Sequence, residues 1–155
     1  MTASLKWDIR YVELARLVST WSKDPSTQVG AVLVRPDNSV ASIGYNGFPR
    51  GIEDTEERLN DREVKYSHMI HGEMNAVLNA HDSVRGNTLF LWPLLCCDRC
   101  APHMIQAGIK RVVAPTCPPE KADRWEPILA KSRERFAEAG VEVIEIPYDS
   151  FKEQV

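Results

Sequence analysis

Apolar positions along this chain change their period several times, and each change marks a predicted element. Leu5, Ile9, Val12, Leu14, Leu17, Val18 and Trp21 recur at roughly helical spacing with charges between them, which predicts a first helix. Lys23-Asp24-Pro25-Ser26 ends it, because proline disfavours helical geometry in the residue before it. Two strand-like runs follow, Val29 to Val34 and Val40 to Tyr45, and the turn chemistry of Arg35-Pro36-Asp37-Asn38 joins them as a hairpin. A second helix is predicted over His71 to Ala80, with Met74, Val77 and Leu78 on one face. Thr88 to Trp92 reads as a short strand, Cys97 to Ala107 as a third helix closed by Gly108, and Val112 to Ala114 as the next strand. Pro118-Pro119 marks a turn. Ala122 to Ala139 is again helical through Trp125, Ile128, Leu129 and Phe136, Gly140 stops it, and Val141 to Ile146 alternates like a strand with one solvated face. The order αββαβαβαβ implies a mixed sheet covered by helices on both faces, with parallel pairing in the C-terminal half.

One segment breaks the pattern. From Gly47 to Lys65, acidic Glu53, Asp54, Glu56, Glu57, Asp61 and Glu63 interleave with Arg50, Arg58, Arg62 and Lys65. It reads as a long surface insertion, either a functional loop or a solvated charged helix.

Composition limits the rest. With 155 residues, 43% hydrophobic and 26% charged, the chain fits a single domain over 1–155 with one core. A formal charge of −3 gives no electrostatic footprint for wrapping a phosphate backbone, so a nucleic-acid partner is not expected and a small charged substrate fits better. The longest apolar stretches are of strand length, and Lys6, Asp8, Arg10 and Glu13 break up the N-terminal region. Neither a signal peptide nor a membrane span is expected, and a cytoplasmic location follows. In a reducing compartment, Cys96, Cys97, Cys100 and Cys117 are better explained as thiolate ligands and spare buried thiols than as a disulfide framework.

The chemistry concentrates in His71-Gly72-Glu73 and Cys97-Asp98-Arg99-Cys100. One imidazole and two thiolates leave the fourth position of a tetrahedral Zn²⁺ open for water, whereas structural zinc is normally closed by four protein ligands. H-x-E followed by C-x-x-C is the pattern of the zinc nucleobase deaminases, in which the Glu carries protons and is not a ligand. His71, Cys97 and Cys100 are the expected metal ligands and Glu73 the expected acid-base residue. The C-x-x-C spacing places both sulfurs on one helical face. A lone C-x-x-C is compatible with a redox pair, and a lone H-x-E is common by chance; the specificity lies in their combination. Cys96 competes with Cys97, since it too shares a face with Cys100, and Cys97 is favoured. His68, His103 and Cys117 are read as bystanders.

At this point the chain resembles the deoxycytidylate (dCMP) deaminases. The segments that carry the likeness are Asp24-Pro25-Ser26-Thr27-Gln28-Val29-Gly30-Ala31, Gly44-Tyr45-Asn46-Gly47-Phe48-Pro49-Arg50-Gly51, His71-Gly72-Glu73-Met74-Asn75-Ala76 and Cys97-Asp98-Arg99-Cys100-Ala101. It runs from about Trp7 to Ile146, with two departures: Cys96 stands where the family usually has proline, and Gly72 where alanine is common. The resemblance implies an α/β fold, a three-layer αβα sandwich with a mixed five-stranded sheet of the cytidine-deaminase type. It implies hydrolysis of dCMP to dUMP and ammonia, feeding thymidylate synthesis. It also implies a homo-oligomer, often a hexamer, activated by dCTP with Mg²⁺ and inhibited by dTTP, with Gly44, Tyr45 and Gly47 at the effector site. Thr27, Asn46 and the Gly72 amide are the expected substrate contacts, although Asn46-Gly47 is equally a turn dipeptide. Lys23 and Arg50 are the nearest cations for the phosphate. Two other readings stay open: the same chemistry on dCTP, CMP or 5-methyl-dCMP, and a catalytically silent zinc module, which an intact Glu73 disfavours.

Overall fold

Five strands form the sheet around which everything else is arranged: β1 (Gly30–Val34), β2 (Val40–Tyr45), β3 (Thr88–Trp92), β4 (Arg111–Pro115) and β5 (Glu142–Ile146). The structure is a computed structural model and describes residues 2–151. Strand order is β2-β1-β3-β4-β5, with β1 antiparallel to both neighbours and β3, β4 and β5 mutually parallel. This is the mixed sheet the element order implies, with its parallel half C-terminal.

Burial shows why these runs become strands. β1 is buried along its whole length, and β3 and β4 are buried apart from their first residues. The edge strands β2 and β5 carry exposed positions, as strands covered on one side only do. Side chains alternate between two cores. Ala31, Leu33, Leu89, Leu91, Val112 and Ala114 share one face, and Val32, Val34, Phe90, Trp92 and Val113 share the other.

Helix α1 (Ala3–Ser19) covers the second face through Val12 and Ala15. The Thr2 hydroxyl caps its first turn by accepting from the Leu5 amide at 3.1 Å. At Gly30 the packing is so close that a Cβ would stand 1.9 Å from the Ala15 carbonyl oxygen. The opposite face is covered by α4 (Gly72–Leu78), α5 (Cys100–Ala107) and α6 (Ala122–Glu138), giving three layers. Gly108 ends α5 at φ +89°, the left-handed position its place after the helix predicts.

The charged insertion is helical, in two short pieces: α2 (Glu56–Asn60) and α3 (Arg62–His68). Thr55 and Asp61 cap them by accepting from Arg58 N and Val64 N, each at 3.2 Å. Their apolar content is too small for a periodic signal: Leu59 is buried, and so is the charged Lys65. α1 stops at Ser19, short of the expected Trp21. α5 begins at Cys100, one turn later than the sequence predicts, so Cys97 precedes the helix.

Register gathers one edge of the sheet. Gly30 at the start of β1 pairs with Tyr45 at the end of β2 and with Trp92 at the end of β3. The loop before β1, the residues after β2 and those after β3 therefore meet at the carboxyl ends of the parallel strands, where open α/β sheets bind ligands.

Candidate metal centre and active site

His71 and Glu73 arrive on α4, whose N-cap is His71 in an extended conformation. Cys97 sits in the turn leading into α5, and Cys100 is the first residue of that helix. Both helix N-termini therefore point at the same place, where unpaired amides and the helix dipole favour negative charge. The structure brings the four residues together: their donor atoms lie within 4.8 Å of one another. His71 Nδ1 is 3.5 Å from the Cys97 Sγ, 3.2 Å from the Cys100 Sγ and 3.8 Å from Glu73 Oε1.

These distances suit three donors converging on one ion. Zn–S and Zn–N bonds of about 2.3 and 2.1 Å at tetrahedral angles separate the donors by roughly 3.5 Å. The donor set of two sulfurs and one imidazole suits zinc in a hydrolytic site. Cys97 holds its proton weakly: the Cys100 thiol and amide and the His71 ring all donate toward its sulfur, which pulls the thiol far below its ordinary range. Cys100 is pushed the other way, above its ordinary range, first by that same hydrogen bond and then by burial. His71 is pushed up to about 9, chiefly by the Cys97 sulfur it bonds. Glu73 is only 3% exposed, and burial raises its carboxyl above the usual range against the opposing pull of His71.

Cys96, the competing ligand, turns away from this group. Its side chain belongs to the core and its carbonyl accepts from Ser132 Oγ at 2.8 Å. Burial drives its thiol well above the ordinary range, and its sulfur is not among the donor atoms that converge. His68 stacks on Phe48, His103 bonds the Arg99 carbonyl, and Cys117 packs against the core; none joins the cluster.

A cleft opens over the cluster. Its lining includes His71, Glu73, Cys96 and Cys97 together with Asp24, Ser26, Thr27, Lys65, Tyr66, Arg124 and Trp125. Asn46 also lines it, but its side-chain amide is fully engaged. Oδ1 accepts from Val29 N at 2.8 Å, and Nδ2 donates to Thr27 O at 2.9 Å and to Asp24 Oδ2 at 3.2 Å. Neither a turn residue nor a free donor, it pins residues 24–29 against the cleft. Asp24 Oδ1 in turn accepts from Ser26 N and from Lys65 Nζ, the latter at 3.1 Å, and the side chains of this ion pair are only 9% and 8% exposed. Gly72 is buried in the first turn of α4, where a Cβ would stand 3.1 Å from Val29 Cγ1. The smaller residue relieves that contact.

The expected effector positions have a local structural account. At Gly44 a Cβ would lie 2.3 Å from Ala76 N and 2.4 Å from Gly72 O, so α4 rests on the backbone of β2. Gly47 pairs with Ile70, and Tyr45 is exposed with its ring edge-on to Trp21. Lys23 and Arg50 are not at the cleft. Lys23 pairs with Asp54 of the insertion, and Arg50, within the insertion, donates to Asn79 Oδ1 at the end of α4. The cations that line the cleft, Lys65 and Arg124, come from α3 and α6. Only tertiary structure brings them there, and no local sequence signal marks them.

Comparison with known proteins agrees with this geometry. The family model described as the cytidine and deoxycytidylate deaminase zinc-binding region matches residues 5–116. An uncharacterised deaminase in the luxG 3′ region of Aliivibrio fischeri is 40% identical over 147 residues, which cover 95% of this chain and 98% of that protein. Deoxycytidylate deaminase of Homo sapiens is 38% identical over 115 residues, covering 70% of this chain and 64% of its own length. The chain thus spans nearly all of the bacterial relative but less than two thirds of the human one. A solved structure of dCMP deaminase from the cyanophage S-TIM5, in complex with dCMP and dUMP, has a TM-score of 0.69 at 24% identity. It covers 94% of this chain and 99% of its own, a likeness of fold. Motif, geometry and relatives converge: this chain belongs to the cytidine and deoxycytidylate deaminase family.

Proposed function

We propose that this protein is a zinc-dependent deaminase that hydrolyses dCMP to dUMP and ammonia. One observation carries the reading: a buried carboxyl, Glu73, lies against a His71-Cys97-Cys100 donor set at the floor of a cleft. Relatives named deoxycytidylate deaminase support the choice of substrate.

His71, Cys97 and Cys100 would hold the zinc. Bound there, it supplies Lewis acidity that makes a water molecule nucleophilic near neutral pH. Glu73 moves the protons. With its proton affinity raised by burial, the carboxylate would take one proton from the attacking water and pass it to the ring nitrogen of cytosine as the oxygen bonds C4; it would then take the second proton from the new C4 hydroxyl and deliver it to the amino group as the C–N bond breaks, so that one water is consumed and one ammonia released. The apolar Leu94, Leu95 and Val29 in the cleft wall exclude bulk water from the base, and the hydrogen bonds of Asn46 fix the loop that carries Thr27. The Gly72 amide, in the first turn of α4, would meet the base.

The family resemblance extends the proposal to a homo-oligomer under dCTP-Mg²⁺ and dTTP control. Exposed Leu17, Trp21, Tyr45 and Leu78 near the open β2 edge favour self-association. No helix among the described residues is long and apolar enough to cross a membrane, and thiol ligands suit a reducing cytoplasm. Turnover of dCMP, CMP, dCTP, deoxycytidine and 5-methyl-dCMP, followed by absorbance with and without dCTP and dTTP, tests the reading. dCMP is expected to lead. If dCMP is inert while another compound reacts, the substrate is wrong; if none reacts in zinc-loaded protein, the silent module stands.

A further inference from the structure

The exposure of the cleft wall fixes which end of a nucleotide goes where. Deamination places the base against buried Glu73, so the sugar and 5′-phosphate extend toward the exposed part of the lining, formed by Ser26, Tyr66 and Arg124. A phosphate is strongly hydrated and belongs at that open end. It needs a cation whose charge is not already spent.

Lys65 does not qualify. It is buried, and Asp24 and Ser26 occupy its ammonium at 3.1 Å. Lys23 pairs with Asp54, and neither it nor Arg50 lines the cleft. Arg124 differs on each count. It is exposed, it lines the cleft, and among the described residues it forms no ion pair. One N–H bonds the Tyr66 hydroxyl at 3.1 Å, and the guanidinium carbon stands 5.6 Å from the centroid of the Trp125 ring. Those two contacts orient the fork and leave four of its five N–H donors for a ligand. Arg124 also lies in the first turn of α6, whose N-terminal amides favour an anion, and Lys121 just before that helix reaches Thr27 Oγ1 at 3.4 Å.

We infer that Arg124 binds the 5′-phosphate of the substrate and sets the preference for a nucleotide over a nucleoside. The inference rests on the deaminase reading above and adds a specificity residue to it. A guanidinium grips phosphate oxygens in pairs, which a lysine ammonium does not reproduce.

Steady-state turnover of dCMP and deoxycytidine, with dUMP as a competitive inhibitor, tests it in wild type, Arg124→Ala, Arg124→Lys and Lys23→Ala. Arg124→Ala is expected to raise the KM for dCMP and the inhibition constant of dUMP at least tenfold, with kcat within threefold. Its kcat/KM on deoxycytidine stays within twofold of wild type, which also shows that the site is folded. Arg124→Lys recovers part of the loss, and Lys23→Ala changes none of these values. A smaller rise in KM, an equal loss on deoxycytidine, or the same rise in Lys23→Ala overturns the inference. Wild-type protein that does not deaminate dCMP would sink the functional reading itself, whereas an active wild type with an indifferent Arg124→Ala sinks only this step.

Discussion

Lys65 and Asp24 show how single residues build this site without touching the chemistry. Both side chains are more than nine-tenths buried, and their contact joins the insertion to the loop that walls the cleft. Replacing Lys65 by Met would leave a carboxylate uncompensated in the interior, at a cost of about 3 to 5 kcal/mol. In a chain of this size that lowers Tm by roughly 10 °C. Thermal unfolding of Lys65→Met checks it, and a fall below about 3 °C would mean the pair is not structurally coupled; adding Asp24→Asn should restore part of the loss. Asn46→Ala acts on the same loop by leaving Val29 N and Thr27 O without partners, and is expected to raise the KM for dCMP severalfold while costing about 2 kcal/mol. Urea unfolding and kinetics on one preparation report both numbers. At this scale the sequence marked the cluster better than the architecture around it. That His71, Glu73, Cys97 and Cys100 come together was legible because H-x-E and C-x-x-C in combination are a specific pattern. The role of Asn46 was not, because its partners lie on a different element and Asn-Gly looks the same in any turn.

Elements were legible in proportion to how much apolar surface they bury. β3 and the hairpin strands stood out as continuous or alternating apolar runs, and β2 and β3 have the ends the sequence indicates. α2 and α3 did not, since one leucine and a buried ion pair fix them and neither leaves a periodic trace. The Cys97 turn was read as helix because C-x-x-C spacing suits a helical face. In the structure Cys97 stands one turn ahead of α5, where the Cys100 amide can bond its sulfur. Gly44 tests the packing of α4 on β2. A Cβ there meets backbone atoms of Gly72 and Ala76, which cannot rotate away, and Gly72 and Glu73 ride on the same helix. Gly44→Ala is expected to destabilise by about 3 kcal/mol and to lower zinc affinity, read from denaturant melts and competition with a chromogenic chelator. Wild-type values for both would mean α4 is not held by this contact.

At the scale of the whole molecule, two cores on opposite faces of the sheet carry the fold, and the His71-Cys97-Cys100 cluster proposed to hold zinc sits at one edge of it. Zinc is thus expected to stabilise the protein without being required for folding, unlike the metal of a zinc finger. Chelation should lower Tm by roughly 10 °C, as about 4 kcal/mol of linkage from a tightly bound ion implies, while far-UV circular dichroism at 25 °C stays unchanged. Loss of that signal on chelation would mean the sheet depends on the ion. The mixed sheet with a parallel C-terminal half followed from the order of elements, because strand-helix-strand units allow few arrangements, whereas the strand order β2-β1-β3-β4-β5 came from the structure alone. Which cations reach the cleft did not follow, since α3 and α6 are brought together only by the closed sandwich.

The decisive measurement pairs metal content with turnover in one sample of Glu73→Gln. With His71, Cys97 and Cys100 intact, the variant should keep one zinc per chain while dCMP deamination falls by at least a hundredfold, the scale of general acid-base help. Turnover within tenfold of wild type, or fully active wild-type protein containing no zinc, would contradict the site described above.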